Sequence, residues 1–239
     1  KKPGVMSLYA KEGFVTVALC WVVLSALGAL PFVISRVIPS YIDALFEVVS
    51  GFTTTGSSIL PEVEHMPHCL LFWRSFTHWI GGMGVLVFVM AVLPLAGGTN
   101  MYMMKAESPG PSVGKLVPRV KRTAVILYGM YGGLSILQLV FLLAGKMPVF
   151  DAMVTMFGTA GTGGFGIKND SMGSYSPYIQ WVVTVFMILF GVNFNLYYLL
   201  LKKKWKSAVS STEVRVYFSI ILISIALITI NIAPLFSNI

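Results

Sequence analysis

Two short segments place hydroxyls and glycines inside otherwise apolar sequence: Thr53-Thr54-Thr55-Gly56 and Gly161-Thr162-Gly163-Gly164. Glycine tolerates positive φ, so successive carbonyls can be turned to one side, and threonine adds an oxygen acceptor without adding charge. The chemistry available there is an oxygen cage for a weakly hydrated monovalent cation. Neither segment contains a carboxylate; Asp43, Glu47, Glu62, Glu64, Asp151 and Asp170 flank them, where they would raise the local cation concentration. The two segments also repeat one pattern. Asp43 and Asp151 are each followed thirteen residues later by a glycine, Gly56 and Gly164, which lays TTTG over GTGG.

The stretch between each Asp and its Thr/Gly segment has room for two or three helical turns, too short to cross about 30 Å of hydrocarbon. Such a helix can enter and return only if the non-helical return is shielded from lipid, as it is when its backbone lines ions or water. Its partially negative C-terminal end then faces the cage and favours a cation again.

The elements that must hold these segments are membrane helices. Of 239 residues, 56% are hydrophobic and 11% charged, with a mean hydropathy of +0.81, which excludes an ordinary soluble domain. Five runs free of Asp, Glu, Lys and Arg are long enough to span: Gly13–Ser35, Ser75–Met104, Thr123–Gly145, Ser171–Leu201 and Val216–Ile239. The expected fold is an all-α integral membrane protein of repeated helix, re-entrant pore loop and helix units. The first unit is predicted at 1–104 and the second at 123–201, joined by a cytoplasmic loop at 105–122. A further cytoplasmic loop at 202–215 leads to the first span of a third unit at 216–239. Ser210-Ser211-Thr212-Glu213 predicts a capping box at the start of that last span.

The formal net charge of +8 is divided by loop, so it does not indicate nucleic acid. Lys1, Lys2, Lys11, then Lys105, Lys115, Arg119, Lys121, Arg122, then Lys202, Lys203, Lys204, Lys206 and Arg215 occupy alternate connections. The positive-inside rule makes those connections and the N-terminus cytoplasmic and places both Thr/Gly segments on the outer side. Cys20 lies inside an apolar run and Cys69 in an outer loop, so the two are not expected to pair. No cleavable signal peptide is evident. The absence of an initiator Met and the stop at Ile239 suggest a portion of a longer chain.

Other motifs read as structural. Gly161 to Gly166 matches G-x-G-x-x-G in form, but no βαβ pattern surrounds it and Lys168 is followed by Asn169. His65, His68 and Cys69 are read as a polar outer loop, His78 and Trp79 as interfacial anchors opening the second span, and Gly81-Gly82-Met83-Gly84 as a close helix-packing surface. No catalytic constellation is present within the spans, so an enzyme is not expected.

With the repeat placed, the chain resembles the Trk/Ktr/HKT superfamily of potassium transporters, most closely its bacterial Trk membrane subunits. The matching segments are Glu12-Gly13-Phe14, Gly28 to Phe32, Asp43 to Glu47 through SGFTTTG, His78 to Gly84, Lys115 to Arg119, and Gly161 to Phe165. The resemblance implies potassium uptake through four non-identical walls around one pseudo-fourfold pore. It assigns Thr53, Thr54, Thr55 and Gly56 to one wall and Gly161, Thr162, Gly163 and Gly164 to the next, with K+ as transported ion and no bound cofactor. It further implies a homodimer in the lipid of the bacterial cytoplasmic membrane, with nucleotide-binding regulatory subunits on the cytoplasmic side. About two and a half of the four units are present, so the remaining walls come from another polypeptide, a second copy or further sequence. A non-conducting scaffold that docks cytoplasmic partners through its basic loops is the alternative.

Overall fold

The computed structural model describes residues 10–84, 120–205 and 211–236, and among them it is helical with no strand. The chain divides after Gly191 into two units, each described by itself. The first contains α1 (Ala10–Gly28), α2 (Leu30–Ile34), α3 (Tyr41–Phe52), α4 (His68–Met83), α5 (Val120–Ala144), α6 (Val149–Ala160) and α7 (Pro177–Phe190). The second contains α8 (Phe194–Leu201) and α9 (Thr212–Phe236).

Among the described residues three stretches are long and apolar enough to cross a membrane: Val15–Ile34, Val125–Ala144 and Thr212–Ala233. The first two fall within the first and third predicted runs, and the last begins four residues before the fifth. The first is made of α1 and α2 with an offset at Gly28-Ala29. Pro31 lacks an N–H, and the Phe32 amide pairs with Ala29 instead of Gly28. The Gly28 carbonyl this releases accepts the Trp73 indole N–H at 2.9 Å, which ties α4 to the offset.

Two predicted runs differ in the structure. Within Ser75–Met104, α4 begins earlier, at His68, and is capped by Gly84 at a φ of +80°; the rest of that run and residues 105–119 of the predicted loop at 105–122 lie outside the described residues, while 120–122 open α5 instead of forming loop. The run Ser171–Leu201 is two helices preceded by turns. Ser176 caps α7 with its side chain, Pro177 sits at the first helical position, and the helix ends at Gly191 before α8 starts at Phe194. Apolarity hid these breaks, because hydropathy responds to composition and not to glycine, proline or cap geometry. The expected capping box also shifts: α9 starts at Thr212, and the Glu213 carboxylate accepts from Asn193 Nδ2 at 3.1 and 3.2 Å.

In the first unit the two short helices are held by the longer ones. α4 packs against both α3 and α6; α3 also meets α1 and α2, while α6 also meets α5 and α7. The α4–α6 seam is aromatic, with Phe157 edge-on to Phe72, Phe76 and Trp79 at ring separations of 5.5, 5.3 and 6.0 Å. α5 is fastened to α4 by hydrogen bonds from the Tyr131 hydroxyl to the Trp79 carbonyl (3.0 Å) and from Trp79 Nε1 to Ser135 Oγ (3.1 Å). Most apolar side chains of α9 between Val216 and Ile230 are exposed, a surface suited to lipid or to other membrane helices.

Candidate functional site

α3 and α6 are both 12 residues long, about 18 Å at 1.5 Å per residue, and cannot span a bilayer. Each follows a long apolar stretch, α1–α2 or α5, and two residues beyond its end stands a non-glycine residue of positive φ, Arg36 at 60° and Lys146 at 61°. Each carries its acid in the first turn, Asp43 and Asp151, where the helix dipole favours negative charge. Both helices end at the predicted Thr/Gly segments. The terminal residues, Thr53 (φ −83°, ψ 2°) and Gly161 (φ −76°, ψ −4°), have nearly the same backbone and bond back to Val49 and Phe157.

The likeness continues through the segments. Thr54 and Thr162 have φ of 55° and 57°, Gly56 and Gly164 of 77° and 79°, and neither Thr55 nor Gly163 between them lies at positive φ. Alternating signs of φ rotate successive peptide planes so that their carbonyls can face one side. Glycine adopts this freely, but threonine is β-branched and strained at positive φ, which costs about 1–3 kcal/mol where the surroundings impose it. The Thr54 and Thr162 amides bond to Gly51 and Thr159 at 3.0 and 2.8 Å, which fixes both in the same turn. On the first segment Thr53 Oγ1 donates to the Val49 carbonyl at 2.7 Å and lies 2.8 Å from Thr55 Oγ1. Thr53, Thr55, Thr162 and Gly164 are exposed.

The two segments adjoin. A Cβ on Gly56 would overlap the Gly163 carbonyl oxygen and lie 2.7 Å from its carbon, whereas a Cβ on Gly164 meets nothing within 4 Å. Helix α4 backs both segments. A Cβ on Gly81 would collide with the Phe52 carbonyl, and one on Gly82 would lie 3.1 Å from both the Ala160 carbonyl oxygen and Gly161 Cα. The glycine run is thus a packing surface, as read from sequence, and its partners are the C-terminal ends of the two short helices.

Two side chains correct the sequence reading. His78 is fully buried and does not anchor an interface: its ring contacts Gly163 and lies 4.0 Å from the Phe165 ring, with neither nitrogen bonded to protein. Glu47 is 1% exposed and is no free surface charge. It accepts from Arg74 Nε at 2.6 Å, from Ser58 Oγ at 2.9 and 3.1 Å, and from the Ile59 amide at 3.1 Å. Arg74, 4% exposed, also donates to the Gly166 carbonyl at 3.0 Å and lies 3.6 Å from the Phe165 ring centroid. The available signal was one acid and one base inside apolar helices, since buried charges must be paired.

The outer connections also meet. Asn169 Oδ1 accepts from the Val63 amide at 2.9 Å, and the Asn169 amide donates to Glu64 at 3.0 Å. Tyr175 donates to Asp151 at 3.2 Å and receives Lys168 over its ring; burial, then the Asp151 charge, push its phenol well above the ordinary range and keep it a donor. His65 pairs with Glu62 at 3.1 Å and His68 stacks on Phe150 at 4.4 Å. Among the described residues no His, Cys, Asp and Glu group could hold a metal ion.

Paired short helices, each returning through an extended Thr/Gly segment and braced by longer apolar helices, define a multi-pass α-helical membrane protein of the pore-loop class. The family model described as "Cation transport protein", TrkH, matches residues 1–235, and the chain belongs to that family. It is 36% identical to the Trk system potassium uptake protein TrkH of Escherichia coli, over 94% of this chain and 50% of that protein. TrkG of Escherichia coli is 35% identical over 96% and 48%, and TrkH of Salmonella typhimurium 40% identical over 81% and 41%. The crystal structure of the potassium transporter TrkH from Vibrio parahaemolyticus matches with a TM-score of 0.66 at 34% identity, covering 83% of this chain and 40% of that one. The chain spans about half the length of the curated relatives it matches, 40% to 50%.

Proposed function

We propose that the two Thr/Gly segments are adjoining walls of a potassium filter and that the chain belongs to a channel-like potassium uptake system. The observation that carries this reading is the equality of their backbones: TTTG and GTGG differ at their first and third places yet alternate φ in the same order and meet at Gly56 and Gly163. Thr53, Thr54, Thr55 and Gly56 form one wall, and Gly161, Thr162, Gly163 and Gly164 the next. Their carbonyls and hydroxyls replace part of the hydration shell of K+. Two walls leave the cage open, so further walls complete it. The N-terminus and basic connections face the cytoplasm of a bacterial cell, where nucleotide-binding regulatory subunits dock, and the assembly is a dimer.

Gly164→Asp tests the reading. Space at this position is open, so the carboxylate enters the proposed ion path without a packing clash, and the measured insertion accounts for the strain of a side chain at a φ of +79°. Selective rubidium uptake by the full-length protein, expressed in bacteria without their own potassium uptake, should be lost at normal membrane insertion. Uptake with wild-type preference over sodium would refute the wall assignment.

A further inference from the structure

The Glu47–Arg74 pair does not belong to the repeat. In the register set by Gly56 and Gly164, Glu47 corresponds to Thr155, and Arg74 to Val182; aligning the starts of α4 and α7 instead gives Val183. All three of these residues are buried, and none is charged. An ionic link was therefore placed in, or kept in, one of two otherwise matching units.

Its partners show what it joins. Glu47 holds Ser58, two residues beyond Gly56, and Arg74 holds the carbonyl of Gly166, two residues beyond Gly164. Ser58 and Gly166 are equivalent positions of the two segments. One ion pair thus bridges the same point on both, and its two ends are 2.6 Å apart. Phe165, beside Gly164, packs under the guanidinium at 3.6 Å and would lie 3.6 Å from a Cβ on Gly51 of the other short helix.

A buried ion pair contributes little net stability, because desolvation offsets most of its attraction. A fixed geometry is what a planar guanidinium can supply, since its fork reaches a carboxylate and a carbonyl together. We propose that Glu47 and Arg74 are positioning residues that set the separation of the two segment exits and thereby the discrimination between K+ and Na+. This rests on the filter reading above.

The test compares rubidium and sodium uptake by the full-length protein as wild type, Arg74→Lys, and the double variant Glu47→Gln/Arg74→Met, with insertion measured for each. Lysine keeps the charge balanced but cannot hold Glu47 and Gly166 at once; the double variant removes both charges and leaves no orphaned ion. Each should insert and conduct with the rubidium-to-sodium ratio reduced at least tenfold. A merely structural pair would lower protein amount at constant ratio. An inserted variant with the wild-type ratio overturns the proposal, and so does failure of both to insert, which assigns the pair to folding alone. Gly164→Asp run alongside separates the two ideas: if it abolishes selective uptake while the bridge variants remain selective, only the bridge falls. If it leaves selective uptake intact, both fall.

Discussion

Replacing Gly56 with alanine puts one methyl group where the two Thr/Gly segments meet. Its carbon would lie 2.7 Å from the Gly163 carbonyl carbon and 3.2 Å from Gly163 Cα, against about 3.5–4.0 Å for an ordinary carbon contact. The same methyl would overlap the Gly163 carbonyl oxygen, so the segments must part by more than about 1 Å. Holding alanine at a φ of +77° adds about 1–2 kcal/mol of strain, and overpacking typically another 1–3 kcal/mol. A few kcal/mol loaded on one turn exceeds the ~1.4 kcal/mol that corresponds to a tenfold change in an equilibrium. The rubidium-to-sodium uptake ratio of the full-length protein should therefore fall at least tenfold. Gly129→Ala is the matched control: a Cβ there meets nothing within 4 Å in a regular helix, and the ratio and the melting temperature in detergent should hold or rise slightly. A Gly56→Ala protein that inserts normally and keeps the wild-type ratio would refute the claim that close contact between the segments controls ion choice.

His78→Phe should be near neutral in thermal stability, because neither ring nitrogen has a protein partner to lose; His78→Ala should cost about 3 kcal/mol through the cavity it leaves beside Gly163, and equal melting temperatures for the two would contradict this. Asn169→Ala removes the bond to the Val63 amide and should lower stability by about 1 kcal/mol without altering the rubidium-to-sodium ratio, since it ties outer connections and touches neither Thr/Gly segment. A changed ratio would show that the outer connections set the spacing of the segments.

The repeat was legible because its marks are local. Glycine at the last place of each segment, threonine two places before it and an Asp thirteen residues upstream survive as letters, and the helix between them has a length that sequence counts directly. Three long spans were legible for the same reason, as uninterrupted apolarity. What escaped depends on residues far apart in the chain. Thr54 and Thr162 take the positive φ that sequence assigns to glycine, because the turn after each short helix imposes it against side-chain preference. His78 beside Trp79 reads as an interface pair only if a helix begins there, and it begins ten residues earlier at His68. Glu47 and Arg74 are 27 residues apart, on two helices whose packing no periodicity specifies.

That TTTG and GTGG reach the same backbone with different residues at their first and third places has a consequence for heredity. In a ring of identical subunits one codon change alters every wall at once, so intermediate states are never sampled. Here each segment has its own codons, and a substitution at Thr53 leaves Gly161 as it was. Variation can then proceed in single, separately reversible steps, with the unaltered segment as a fixed template. Duplicated units free to drift in this way can accumulate private features at one junction without an equivalent change at the next.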